Sequence, residues 1–234
     1  QVALNNAQAT RTAAVAASRA QDWHGDIPVP AGLAYLPFQK AGIAYAMGHT
    51  NTLIGDAPGL GKTIQAIGVW NADPTATSCL VVCPASLKIN WLREFQKWGL
   101  RAPSIAIANG SFPTAAVVIV NYEQLKKHRA ALRARTWSLL IADESHYAKN
   151  PKAARTQELL GKYDKDKTKV ITPIPALRKI YMSGTPIVNR PIELWPILKS
   201  IDPAGLGANW KRYVTRYCAG HDSGFGWDVS GASH

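Results

Sequence analysis

The chain has 234 residues, a length that accommodates one large domain or two small ones. Its 27 Lys and Arg residues against 15 Asp and Glu residues give a net charge of +12. This charge favours a polyanionic partner such as nucleic acid, although a basic surface that maintains solubility would explain it equally. Three cysteines without Cys-x-x-Cys spacing argue against a disulfide framework and a zinc site, and no apolar run has membrane-spanning length. We therefore expect an intracellular protein without a membrane role, cytoplasmic or nucleoid-associated if bacterial or viral and nuclear if eukaryotic.

The N-terminal part is predicted to be an extension, residues 1–32, ahead of one domain over residues 33–234. Residues 1–22 are rich in Ala, Gln, Asn and Thr, and form either a marginal helix or a loose chain. From Leu36 onwards, apolar spacing predicts a helix that ends near Gly48. The chain begins with Gln rather than Met, as expected of a fragment or a processed protein.

A phosphate-binding loop is predicted next. The apolar strand Leu53-Ile54 runs into a glycine-rich turn, and Lys62-Thr63 then opens a helix. Glycines let backbone N–H groups point at an anion, and a helix N-terminus adds partial positive charge. Lys62 would meet the β- and γ-phosphates, and the Thr63 hydroxyl would hold Mg²⁺. Because Asp56 stands where the general pattern has Gly or Ala, a glycine-rich turn that binds nothing stays open.

Four further strands are predicted. Cys79–Cys83, Val117–Val120 and Ser138–Ala142 are apolar runs that predict buried strands, and Arg178–Met182 is predicted as a strand as well. Amphipathic helices are predicted between them, and one of these places Trp91 and Trp98 on an apolar face, as core residues rather than base-stacking platforms. The alternation predicts an α/β fold with a mainly parallel central sheet and helices on both faces.

Three other segments carry predictions of their own. Tyr122 to Arg135 is predicted as one basic helix, whose charges face either solvent or DNA. Residues 162–178 combine a mixed charge run with prolines, which indicates a surface insertion. Residues 191–200 are predicted as a helix that Pro196 kinks or shortens.

Polar motifs follow three of the predicted strands. They are the phosphate loop, Asp143-Glu-Ser-His146 and Ser183-Gly-Thr-Pro186. In parallel sheets the chemistry lies beyond the carboxyl ends of the strands, so these motifs are expected to converge. Asp143 would hold Mg²⁺, and Glu144 would orient and deprotonate a water molecule. The alternative is that this acidic pair only caps a helix or forms a salt bridge.

The ordered set of motifs, over roughly residues 33 to 234, resembles the Swi/Snf-type helicase-like ATPases of helicase superfamily two. Asp143-Glu-Ser-His146 is a variant of the Asp-Glu-x-His box, and Leu36–Lys40 is similar to the adenine-recognising segment. Asp56 is usual in this family. The further matches are Val82–Leu87 with Asn90–Phe95 for motif Ia, Ile119–Tyr122 for motif Ib, and Ser183–Asn189 with Glu193–Trp195 for motif III. Arg216–Cys218 and Gly226–Gly231 look like the annealing-helicase, fork-remodelling branch.

The resemblance implies the first RecA-like lobe of a P-loop NTPase, a three-layer α/β domain that uses ATP and Mg²⁺. The implied nucleotide-binding residues are Gln39, Asp56, Gly59, Leu60, Gly61, Lys62, Thr63 and Ile64. Lys62, Asp143 and Glu144 are the implied catalytic residues, with Thr63 and Asp143 on the metal. Implied coupling residues are His146, Ser183, Gly184 and Thr185, and implied DNA contacts are Ser86, Asn121, Lys126 and Lys127.

The implied activity is that of a DNA-dependent ATPase that translocates on duplex or forked DNA through its backbone, without sequence specificity. Ala57-Pro58 departs from the family, which has an acidic residue and a methionine there. The implied second RecA-like lobe belongs to a longer parent chain, and nothing indicates a homo-oligomer. Two alternatives stay open: a nucleotide- and DNA-binding module with negligible turnover alone, and an interaction scaffold that does not bind ATP.

Overall fold

A six-stranded, all-parallel sheet forms the centre of the computed structural model, with strand order β1-β6-β5-β2-β4-β3. The described residues are 9–10, 12–13, 15–162, 170–224 and 226–233. The strands are β1 (Asn51–Ile54), β2 (Cys79–Cys83), β3 (Ile105–Ile107), β4 (Val117–Asn121), β5 (Trp137–Ala142) and β6 (Ala176–Met182). The predicted parallel α/β fold is therefore confirmed, and β3, a short edge strand, is the strand of this sheet that sequence patterns did not predict.

Seven helices accompany the strands between residues 37 and 217 of the described chain. They are α1 (Pro37–Met47), α2 (Lys62–Ala72), α3 (Lys88–Trp98), α4 (Arg129–Arg133), α5 (Ala154–Leu160), α6 (Trp195–Ile201) and α7 (Trp210–Tyr217). The described residues between 9 and 18 are also helical, and a short hairpin, β7 (His221–Asp222) with β8 (Trp227–Asp228), follows α7. None of the helices in the described ranges has both the length and the apolar character that crossing a bilayer requires.

Alternate side chains of the strands pack into two separate cores, one on each face of the sheet. In β2, Cys79 and Val81 face the layer of α1, α2 and α3, whereas Leu80 and Val82 face the layer of α4, α5 and α6. Successive side chains of a strand point to opposite faces of the sheet. A continuous apolar run therefore forms a strand that is buried on both faces. Trp91 is fully buried in the first core, as predicted.

The predicted helix from Tyr122 to Arg135 is wrong in its extent. A 3₁₀ turn covers Tyr122–Gln124, turns follow, and the α-helix is limited to Arg129–Arg133. The buried side chains in this stretch include Tyr122, Leu125 and His128, which are three residues apart. A spacing of three suits tight 3₁₀-type turns better than an α-helix.

Two further predictions need correction. Ile174 is fully buried and β6 already begins at Ala176, so the end of the predicted insertion 162–178 belongs to the core and the sheet. The charge run at residues 163–169 lies outside the described residues. In the predicted helix 191–200, Pro191–Leu194 form a 3₁₀ turn and the α-helix begins only at Trp195, so the helix is shortened, as predicted, but not kinked. Pro196 occupies the first turn of α6, where an N–H has no intrahelical acceptor to lose.

Candidate functional site

The loops that follow β1, β6 and β5, three neighbouring strands, meet at the carboxyl edge of the sheet. The Ser183 N–H donates to the carbonyl of Ile54 at 3.2 Å, which ties the end of β6 to the end of β1. A Cβ placed on Gly184 would lie 2.9 Å from Pro58 Cγ and 3.4 Å from Lys62 Nζ. Gly184 therefore allows the loop after β6 to touch the predicted phosphate loop.

The phosphate loop is held by contacts among its own residues and α2. Gly61, the residue before α2, has φ +77°, a left-handed conformation that favours glycine. The Lys62 ammonium donates to the carbonyls of Asp56 (2.7 Å) and Ala57 (3.2 Å). The Asp56 carboxylate accepts from Gln65 Nε2 at 2.6 Å, so it anchors the loop to α2.

Gln39 lies behind this loop and is only 4% exposed. Its Oε1 accepts from the Leu36 N–H (3.0 Å), and its Nε2 donates to the Leu60 carbonyl (3.1 Å). An amide side chain has two donor hydrogens and two acceptor lone pairs. Gln39 therefore links α1 to the loop and keeps one donor and one acceptor for another group.

Asp143 follows β5 directly and is 7% exposed. Its Oδ2 accepts from Trp91 Nε1 at 2.8 Å, and its Oδ1 accepts from the Glu144 N–H at 2.9 Å. Burial raises the pKa of this carboxyl group, and the Trp91 hydrogen bond opposes that rise. The Tyr122 hydroxyl donates a hydrogen bond to the Asp143 carbonyl at 2.7 Å. Apolar spacing predicted only a core role for Trp91 and gave no sign of its bond to the carboxylate.

Glu144 and His146 complete the acidic motif. Glu144 adopts φ +47°, a left-handed conformation that is uncommon for a residue with a Cβ, and its side chain is half-buried. His146 Nδ1 lies 3.2 Å from Glu144 Oε2 and 3.0 Å from Ser183 Oγ. The fully buried Ser183 also accepts from the Thr185 N–H at 3.1 Å. His146 therefore bridges the loop after β5 to the loop after β6.

The chemistry of this edge suits a phosphate group with a divalent cation. Gly59 has φ +86°, and a Cβ built on it would meet nothing within 4 Å, so the loop leaves room for an anion beside its backbone. Thr63 and Asp143 offer a hydroxyl and a carboxylate, the hard oxygen ligands that Mg²⁺ prefers. Each Asp143 oxygen accepts one hydrogen bond and keeps lone-pair capacity for a ligand.

The predicted DNA-contacting residues differ in exposure. Ser86, Lys126 and Lys127 are exposed, and Lys127 Nζ lies 3.5 Å from the Asn109 carbonyl oxygen. Lys88, which no sequence motif singles out, donates to the Asn109 side chain at 3.0 Å and so adds to the same basic surface. Asn121 is 6% exposed and donates to Glu123, which puts it behind that surface.

Three arginines of the predicted basic helix make contacts with other side chains of the protein, although Arg129 and Arg135 remain exposed. Arg129 and Arg133 both pair with the carboxylate of Glu158, which is 1% exposed. The guanidinium of Arg135 stacks on the Trp137 ring at 3.8 Å. These guanidinium groups are therefore held by contacts within the protein, and the exposed Lys126 and Lys127 add positive charge to the solvent-facing surface of this region.

The sequence matches the SNF2-related domain family over residues 38–219. It is 34% identical over 215 residues to the "DNA annealing helicase and endonuclease ZRANB3" of Mus musculus, an alignment that covers 85% of this chain and 19% of that protein. It is 33% identical over 205 residues to the "SWI/SNF-related matrix-associated actin-dependent regulator of chromatin subfamily A-like protein 1" of Drosophila melanogaster, with 85% and 26% covered. The chain thus spans about a fifth to a quarter of these curated relatives.

Among solved structures, the "Sulfolobus solfataricus SWI2/SNF2 ATPase core in complex with dsDNA" superposes with a TM-score of 0.67 at 22% identity. The superposition covers 80% of this chain and 39% of that one. This likeness shows the fold, a RecA-like α/β domain.

Proposed function

Because the chain belongs to the family of SNF2-related domains, we propose that it forms the first ATP-binding lobe of a DNA-dependent ATPase that translocates on duplex DNA. The observation that carries this proposal is the meeting of three loops around Lys62, with Gly184 against Pro58 on one side and the buried Asp143 on the other. The relatives, whose names include an annealing helicase, support action on DNA as the purpose of ATP use. The longer parent chain would supply the second lobe.

Lys62 would bind the β- and γ-phosphates. Its ammonium now donates to two carbonyls of its own loop, and phosphate oxygens would replace these neutral acceptors with charged ones. Gly59, Leu60, Gly61 and Ile64 would supply the surrounding backbone of the loop and the start of α2. Gln39 would use its remaining donor and acceptor for adenine.

Thr63 and Asp143 would hold Mg²⁺, which when bound neutralises charge on the phosphate oxygens. Trp91 fixes the Asp143 carboxylate by its indole N–H. That hydrogen bond favours the charged form of the carboxylate, which is the form that binds a cation. Asp143 is thereby kept oriented by a neutral donor.

Glu144 would accept the proton of the attacking water. Its carboxylate is adjacent to His146 Nδ1, which is shared with Ser183 Oγ. A displacement of Ser183, Gly184 and Thr185 on DNA binding would therefore reach Glu144 through one imidazole. This contact supports the predicted role of the residues after β6 in coupling DNA to hydrolysis.

The DNA backbone would bind the basic surface of Ser86, Lys88, Lys126 and Lys127, with Asn121 supporting it from beneath. Phosphate contacts of this kind position a protein without reading sequence. Fluorescence anisotropy with a labelled duplex over a series of salt concentrations tests the proposal. Removing one phosphate contact reduces the steepness of log K against log salt by about 0.9.

The double variant Lys126→Glu with Lys127→Glu should bind the duplex at least tenfold more weakly and with a shallower salt slope. Lys97→Glu, on the exposed side of α3, is the control and should bind like the wild type. Affinity that is independent of salt, or equal in the double variant and the wild type, would refute this DNA-binding surface.

A further inference from the structure

A second concave site lies on the α5 and α6 side of the sheet. It is a cavity of about 540 Å³, and its described lining residues include none from the phosphate loop, from residues 143–146 or from residues 183–186. Three lysines line it, Lys162, Lys179 and Lys199, and the described lining contains no Asp or Glu. Its volume is within the range of about 300–1,000 Å³ that is typical of small-molecule sites.

Lys179 is unusual because it stands on an inner strand. In β6 it pairs with Asn51 of β1 and Leu140 of β5, and its strand neighbour two residues on, Tyr181, is fully buried. Burial lowers the pKa of its ammonium group. Among the described residues the Lys179 ammonium has no hydrogen-bond acceptor and no carboxylate partner. A half-buried charge without a partner is destabilising, and an anion in the cavity would relieve that penalty.

Thr156 of α5 gives a second, independent indication. Its side chain is only 3% exposed, it lines the same cavity, and its Oγ1 lacks a hydrogen-bond partner within the described chain. Ser200, another lining residue, already shares a hydrogen bond of 2.6 Å with the Tyr181 hydroxyl. An orphaned hydroxyl can donate to a ligand oxygen, and buried polar groups are nearly always satisfied.

We propose that this cavity binds a small anionic molecule with two or more phosphate groups. Lysine ammonium groups are compact charges that bind phosphate oxygens strongly, and three of them in a lining whose described residues include no carboxylate favour a ligand with several negative charges. A cavity of about 540 Å³ has the size of a small-molecule site, which favours a free small molecule over a duplex.

The test is titration of inorganic pyrophosphate by calorimetry. The Lys62→Ala variant serves as the background, because it lacks the ammonium group of the phosphate loop that would bind phosphate most strongly. Pyrophosphate should still bind this background, and Lys179→Met added to it should weaken binding about tenfold or more, the effect expected of one charge-assisted hydrogen bond. Lys97→Met, which removes the same charge from an exposed position on α3, should leave the affinity unchanged.

Folding and ligand class are controlled separately. Lys179→Met removes an unpartnered charge, so it should keep the wild-type circular dichroism and should not lower the urea midpoint. Thr156→Val, nearly the same shape, should also weaken pyrophosphate binding. Absence of binding to the Lys62→Ala background, or equal affinity with and without Lys179, would overturn the proposal. A short duplex that displaces pyrophosphate through Lys179 would overturn it as well, because the site would then belong to nucleic acid.

Discussion

Replacing Trp91 with Phe tests how the buried carboxylate of Asp143 is stabilised. The change removes the indole N–H that donates to Asp143 Oδ2 at 2.8 Å. A hydrogen bond to a charged group contributes about 1.5–3 kcal/mol, and the smaller ring leaves a cavity that adds about 1 kcal/mol. We therefore expect Trp91→Phe to lower the free energy of unfolding by about 2.5–4 kcal/mol at neutral pH.

Trp70→Phe is the matched control. Trp70 is also buried, at 1% exposure, but its indole nitrogen has no hydrogen-bond partner among the described residues. Its replacement should therefore produce only the cavity effect, about 1 kcal/mol. Urea unfolding followed by far-ultraviolet circular dichroism measures both variants.

The pH dependence of the free energy of unfolding tests whether the Trp91 hydrogen bond stabilises the charged form of Asp143. Burial raises the folded-state pKa of Asp143 above its unfolded value, so the wild type loses stability as pH rises through that folded pKa. Removing the Trp91 bond, which opposes the rise, should raise this pKa further. The deficit of Trp91→Phe relative to Trp70→Phe should be largest at neutral pH and should shrink as the pH falls below the folded pKa. Equal losses for both variants at neutral pH, or a Trp91→Phe loss that is unchanged in an Asp143→Asn background, would refute this reasoning.

Three further predictions concern the ion pairs of Glu158, the contact of Gly184 with the phosphate loop, and the reactivity of the thiols. Arg133→Met should lower the free energy of unfolding by about 3 kcal/mol in the urea assay, because it removes an ion pair to the buried Glu158 carboxylate and the hydrogen bonds to the carbonyls of Thr172 and Glu158. Arg129→Met, which removes the closer hydrogen bonds to the same carboxylate, should also lower it, and an unchanged stability in both variants would contradict the pairing. Gly184→Ala should weaken the binding of an ATP analogue several-fold, because the added Cβ would lie 2.9 Å from Pro58 Cγ. Gly110→Ala is the control, because its Cβ would meet nothing within 4 Å, and equal affinities of the two variants would contradict the contact between Gly184 and Pro58. Burial raises the pKa of the three thiols, that of Cys83 to about 12, so iodoacetamide should not modify them in the native protein at neutral pH. Mass spectrometry should find the unfolded protein fully modified, and rapid labelling of the native protein would contradict this prediction. The thiols are Cys79, Cys83 and Cys218.

The strands could be predicted from the sequence to the extent that they are buried on both faces. β2 and β4 are apolar runs with every residue buried, which no solvent-facing segment would tolerate. β3 has three residues, all half-buried, and lies at the sheet edge, so it carries neither a long apolar run nor a clear alternation. Its pairing with β4 depends on the tertiary fold.

The candidate site was predictable where it depends on strand ends. The motifs after β1, β5 and β6 meet because neighbouring parallel strands end at one edge, which follows from topology alone. The bond between Trp91 and Asp143 joins residues 52 apart and depends on how α3 packs over the end of β5. Apolar spacing identified Trp91 as buried, and nothing in that spacing indicates the direction of its N–H.

The basic segment shows the same limit for charges. In the sequence, Lys127 and Arg133 are both simply positive charges. In the structure, Arg133 pairs with Glu158 and donates to the carbonyls of Thr172 and Glu158, whereas Lys127 is exposed. The carboxylate that distinguishes them is 25 residues further along the chain, on α5. Because no local pattern connects the two positions, a surface lysine and a structural arginine look alike in the sequence.

Calorimetric titration of a non-hydrolysable ATP analogue in the presence of Mg²⁺ tests the central claim most directly. The wild type should bind, and Lys62→Ala should bind about 10- to 100-fold more weakly, the effect expected of a charge-assisted hydrogen bond to phosphate. Lys152→Ala, at an exposed position after β5, should bind like the wild type. No binding by the wild type at millimolar ligand, or equal affinity in Lys62→Ala, would contradict the assignment of this chain as an ATP-binding lobe.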